Sequence, residues 1–141
     1  AASSFYIELG DLFSLQKRFD AALARYAAAA TLARIEGTLP VEAVRRIANT
    51  HYFEGTYKEA EATLAKLADE AAQFGDREAQ IWAIADAAWL AQLAGDEVSV
   101  GHHVETLESL LDSHALPGGR YKVRTRLLKD FAVFAPHLAS W

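Results

Sequence analysis

The chain has 141 residues, no cysteine, 23% charged residues and a formal net charge of −5. That length fits a single domain, residues 1–141, able to bury a real core, and the missing cysteines exclude disulfides and thiolate metal centres. The acidic balance argues against direct binding to nucleic acid.

Other classes fall away on the same pass. Residues 1–6 carry no basic stretch followed by an apolar run, so no secretory signal is expected there. No segment approaches the roughly 18 charge-free apolar residues of a membrane span. A cysteine-free chain suits a reducing compartment, and a cytoplasmic location is expected. Methionine is absent, so the sequence is expected to be a processed product or an excised segment.

Alanine, the best helix former, dominates the apolar content, and no β-branched alternating run suggests a sheet. Punctuation predicts seven helices, at 4–17, 19–36, 40–54, 57–74, 77–94, 97–114 and 119–134. Gly37-Thr38-Leu39-Pro40 separates the second from the third and suits proline in a first helical turn. Gly55-Thr56 makes the next break, and Thr56 with Glu59 predicts a capping box. Gly75-Asp76 and Gly95-Asp96 repeat one device, a glycine closing one helix in the left-handed conformation and an aspartate capping the next. Pro117-Gly118-Gly119 is the last interior break, and Pro136 ends the final helix.

The helices alternate in a pattern. The first pair carries Tyr6, Leu9, Gly10 and Phe13, then Phe19, Ala22, Tyr26 and Ala29. Aromatic, x2, Leu-Gly, x2, aromatic, followed by Ala-x3-aromatic, resembles the tetratricopeptide repeat. A second copy is in register: Val44, Ile47, Ala48 and His51 match the first-helix positions, and Tyr57 and Ala60 match Phe19 and Ala22. In a third, Gly95 and Val100 correspond to Gly55 and Ala60. The copies are spaced by 38 and 40 residues, longer than the ordinary 34 or so. The resemblance implies an all-α, right-handed superhelix of about three helical hairpins, at about 4–36, 40–74 and 77–114, with helix 119–134 as a C-terminal cap. An ordinary alanine-rich helical bundle is the competing architecture.

In such arrays the first helix of each pair lines the concave surface, where peptides bind. The resemblance therefore offers Ser4, Ile7, Glu8, Asp11 and Leu15 in the first pair. In the second it offers Glu42, Arg45, Arg46, Asn49, Tyr52 and Phe53. The second set is the richer: two guanidiniums for carboxylates, an amide that can pair with an extended backbone, and two aromatic anchors. The third pair allows two registers. Counting from Gly95 buries Ile84, Ala87, Ala88 and Ala91 and leaves Trp82, Asp86, Trp89 and Gln92 in the groove. Counting from the aromatics buries both tryptophans and puts Asp86 in a slot meant for a small residue, where a lone carboxylate is costly. The first is preferred. The binding residues expected on the concave face are thus Arg45, Arg46, Asn49, Tyr52, Phe53, Trp82, Asp86 and Trp89. The family's carboxylate clamp is not carried over, since the first helix offers Ile7 and Asp11 and the fifth offers Trp82 and Asp86.

No catalytic or metal residues are expected. His102 and His103 are adjacent, so their side chains point about 100° apart on a helix, and no phosphate loop or nucleophile motif is present. Arg120, Lys122, Arg124, Arg126 and Lys129 make the last helix basic, with Tyr121, Leu127, Leu128, Phe131 and Phe134 as its apolar side. It reads as a cap whose basic face meets the acidic faces of earlier repeats. The functional expectation is a non-catalytic scaffold that binds a protein or peptide without a cofactor, away from nucleic acid and membrane. The alternatives are a ligand- or peptide-sensing regulatory module, or a self-assembling homo-oligomer.

Overall fold

The computed structural model describes residues 2–113 and 119–130, and every element among them is an α-helix. They are α1 (Ala2–Leu15), α2 (Phe19–Ile35), α3 (Val41–Phe53), α4 (Tyr57–Phe74), α5 (Arg77–Leu93), α6 (Glu97–Ser113) and α7 (Gly119–Asp130). Phe131, Phe134, Pro136, His114 and Pro117 lie outside the described residues, as does the predicted extension of the last helix to 134.

One closing device ends each of the first five helices. Lys17, Gly37, Gly55, Gly75 and Gly95 all have φ between 59° and 79°. At each, the left-handed residue's N–H returns to the carbonyl three residues back, as in Gly75 to Ala72 at 3.1 Å. The next N–H reaches the carbonyl five back, as in Asp76 to Ala71 at 2.9 Å. These paired bonds satisfy carbonyls that a helix end otherwise leaves open. Glycine enters this conformation freely, whereas Lys17 does so at a cost of about 1–2 kcal/mol.

The caps are mixed. The Asp76 carboxylate accepts the Ala79 N–H at 3.0 Å, and Asp96 accepts from the Ser99 N–H at 3.1 Å and hydroxyl at 2.8 Å. The predicted capping box at Thr56 is not formed. Its hydroxyl donates backward to the His51 carbonyl at 3.0 Å, tying off α3 instead of starting α4. Thr38 does the same to Ala33.

Helices adjacent in sequence pack on one another from α1 to α6, and α7 rests on α5 and α6. Alanine carries much of this packing: Ala22, Ala29, Ala60, Ala71, Ala87, Ala88 and Ala91 are all fully buried. At the α1–α2 contact, a Cβ on Gly10 would lie 2.9 Å from Tyr26 Cζ and closer still to two other ring carbons. Only glycine leaves room for that ring. Ile84, Ala87, Ala88 and Ala91 are buried as the preferred register expects, but so are Ile81, Ala83, Ala85 and Leu90. The reason is crowding, because α4, α6 and α7 all pack against α5.

Ion pairs stitch alternate helices. Arg34 of α2 grips Glu70 of α4, with N···O of 2.7 Å, and holds the Glu70 carboxyl below its usual range. Glu61 of α4 is a buried carboxylate. It meets His103 of α6 at 2.8 Å and Lys58 at 2.7 Å, and Lys58 reaches on to Asp96 at 2.6 Å. The Lys58 hydrogen bond, followed by those from Ser99, holds the Asp96 carboxyl well below the ordinary range. On α7, Val123 and Leu127 are buried while Tyr121, expected on the apolar side, is 75% exposed. Arg120 pairs with Asp112 and Arg126 with Asp86, so the basic helix meets acidic side chains of α6 and α5.

Candidate functional site

Three cavities adjoin on one side of the helical stack, and Arg45 lines all of them. The first, about 160 Å³, lies between α3, α5 and α7, with Arg45, Asn49 and Tyr52 facing Asp86, Trp89 and Leu127. A second, about 390 Å³, opens between α1 and α3 and includes Asp11, Arg46, Asn49 and Phe53. The third, about 420 Å³, runs along α3 and α5 past Trp82, Asp86 and Arg126.

These placements follow from helix spacing. Arg45, Asn49 and Tyr52 stand three and four residues apart, so they share one face of α3. Trp82, Asp86 and Trp89 do the same on α5. All eight residues expected on the binding face line one or more of the three cavities. Of the first-pair candidates, only Asp11 does so; Ser4, Ile7, Glu8 and Leu15 stand apart from these cavities.

The eight are not equally available. The Arg46 Nε donates to Asp11 at 3.0 Å and its Nη1 to Glu42 at 2.6 Å, so its guanidinium joins α1 to α3. Asp11 also accepts the Tyr26 hydroxyl at 2.5 Å. Burial, then the hydrogen bond and charge of Asp11, push the Tyr26 hydroxyl well above the ordinary tyrosine range. Asp86 is held by Arg126, whose guanidinium lies 4.9 Å from the centre of the Trp82 ring. The Tyr52 ring is 5.2 Å from Trp89 and 5.5 Å from Phe53, a ladder of aromatic contacts at preferred spacing. Phe53 is 65% exposed. Arg45 is also exposed and carries no ion pair among the described residues.

Sequence reasoning missed Arg126, Leu127 and Leu64 as walls of the site. Arg126 carried a signal, since its helix is basic in an acidic chain, but nothing local linked it to Asp86. Chemically the site combines an exposed guanidinium, an amide and apolar aromatic walls, groups whose chemistry suits a carboxylate, a peptide backbone and an apolar side chain. Among the described residues no group of three or more His, Asp or Glu side chains is placed to hold a metal ion, and no helix among them is long and apolar enough to cross a membrane. Compared with protein families, curated proteins and solved structures, the chain finds no match.

Proposed function

We propose that this chain is a non-catalytic interaction module of the tetratricopeptide type, wound as a right-handed superhelix, which binds an extended segment of a partner polypeptide on its concave face. The observation that carries the reading is the meeting of three cavities at Arg45, an exposed cation without an ion pair among the described residues. The neighbouring charged groups Arg46, Asp86 and Arg126 already have partners within the fold. A segment entering here brings a carboxylate to Arg45, offers its backbone to Asn49 and sets an apolar side chain beside Tyr52, Trp89 and Leu127.

Panning a random dodecapeptide library displayed on phage against the protein tests this. The enriched sequences are expected to pair an acidic residue with a bulky apolar one. A synthetic peptide of the winning sequence should lose about ten-fold or more in affinity with Arg45→Glu, since hydrogen bonds to charged groups contribute roughly 1.5–3 kcal/mol. Glu105→Lys, on the exposed side of α6, should leave it unchanged. Equal binding to the Arg45→Glu variant would put the binding surface elsewhere.

A further inference from the structure

On α5, Trp82 stands between two carboxylates, Glu78 four residues before it and Asp86 four residues after, so the three share one face of the helix. All three line the cavity of about 420 Å³. The fold itself fills half of this arrangement. Arg126 of α7 bonds to Asp86 and sets its guanidinium 4.9 Å from the centre of the Trp82 ring, so an acid and an aromatic together hold a basic side chain here. The other half repeats the acid without the base: Glu78 is exposed and has no ion pair among the described residues. Arg77, its neighbour in the chain, gives its guanidinium to Gln80 at 2.8 Å and does not line the cavity. Val41, Leu67 and Ala79 do line it, an apolar surface on which the stem of a long basic side chain can lie.

We infer that the groove takes a segment of two opposite charges: an acidic residue on Arg45 and, three or four residues along, a lysine or arginine on Glu78 and Trp82. The inference rests on the peptide-binding reading above and adds to it the second charge and the spacing. Arg45 and Asp86 line the same two cavities, so they mark one level of the groove. Glu78 lies two helical turns before Asp86, about 12 Å along the helix axis. An extended chain covers that distance in three or four residues at about 3.3 Å each. Charge complementarity selects this occupant. A wholly acidic segment would be repelled at Glu78, and a wholly basic one at Arg45.

The test uses two fluorescein-labelled versions of the phage-selected peptide, one as selected and one with its basic residue replaced by glutamate. Each is titrated by fluorescence anisotropy against the parent chain, Glu78→Gln and Glu78→Lys. The selected peptides should carry Lys or Arg three or four residues from the acid, and on the parent the glutamate version should bind about five-fold or more weakly. Glu78→Gln should bring the two versions closer, and Glu78→Lys should reverse their order. Glu78 is exposed, so melting curves should barely move. Glu105→Lys changes the net charge by the same amount and should keep the parent's ratio. Selected peptides without a base at that spacing, or a preference that Glu78→Lys does not reverse, overturn the inference. Peptides that respond to Arg45→Glu but not to Glu78→Lys overturn it and leave the peptide-binding reading standing. Peptides indifferent to Arg45→Glu overturn the two together.

Discussion

The cavity-lined side of the molecule has two halves built from similar residues to opposite ends. Between α1 and α3, polar groups satisfy one another: Arg46 binds Asp11 and Glu42, and Asp11 takes the Tyr26 hydroxyl. Between α3, α5 and α7, aromatic rings and Leu127 form the walls, Arg126 covers Trp82 and Asp86, and Arg45 stands at the junction. Neighbours in the chain, Arg45 and Arg46 project about 100° apart on the helix. That rotation commits one to holding helices together and leaves the other exposed. A cluster of binding-type residues is therefore a mixture of structural and available groups, and the partners decide which is which.

The polar half depends on the position of the Tyr26 ring, so the largest expected effect comes from Gly10→Ala. The added methyl overlaps the ring, which cannot swing away without breaking its bond to Asp11. A loss of about 1–3 kcal/mol is expected, typical of overpacking, read as a lower denaturant midpoint at unchanged slope. Ala27→Leu, at an exposed position of α2, is the matched control. Ala71 cannot serve as one, because it is fully buried. Equal stability of the Gly10→Ala and Ala27→Leu variants would mean that the α1–α2 contact is looser than the geometry requires.

Much of this was legible in the sequence, and the exceptions share a cause. Glycine spacing marked four of the five left-handed helix ends, because a positive φ favours glycine. The fifth, Lys17, was unmarked, and only the change of pattern near Phe19 located the break. The eight candidate residues gather on one side because helical periodicity alone sets direction within each helix. What sequence could not supply was pairing across helices. Nothing near Glu61 announces its partner His103, 42 residues on. Arg46 looked as free as Arg45 because Asp11 lies 35 residues away. Thr56 and Glu59 fit a capping box in sequence, but the hydroxyl had a better-placed acceptor in the preceding helix.

The adjacent arginines provide the next and smaller test. Arg46→Glu removes two ion pairs and sets a third carboxylate beside Asp11 and Glu42. Partly exposed pairs contribute up to about 1 kcal/mol each, so a loss of roughly 1–2 kcal/mol is expected. Arg45→Glu should stay within about 0.5 kcal/mol, as substitutions at exposed positions typically do. Thermal melts at low and high salt separate the two, since screening should shrink only the Arg46→Glu deficit. Equal losses would erase the distinction between a structural and an available arginine.

A loss smaller than that of Arg46→Glu, and the one most specific to the polar half, is expected at neutral pH from Tyr26→Phe. Removing the hydroxyl deletes one hydrogen bond to Asp11, a net cost of about 1 kcal/mol. Its larger signature lies in alkali. Burial and the neighbouring Asp11 raise the folded-state pKa of Tyr26 above the unfolded value near 10. Folding therefore disfavours the phenolate. Stability that depends on the protonated hydroxyl is fully present below about pH 10, and it is lost as pH rises from there toward the folded value. The parent should thus weaken steeply above about pH 10, and Tyr26→Phe should lose the part of that slope due to this residue. Denaturant midpoints measured for both proteins at pH 8, 9.5 and 10.5, at constant ionic strength, read the difference directly. The gap between them should narrow with rising pH, because the phenylalanine variant has no proton to lose at this site. If the two curves instead stay parallel, the Tyr26 hydroxyl is not locked against Asp11, and the contrast between the two halves of the groove loses its chemical basis.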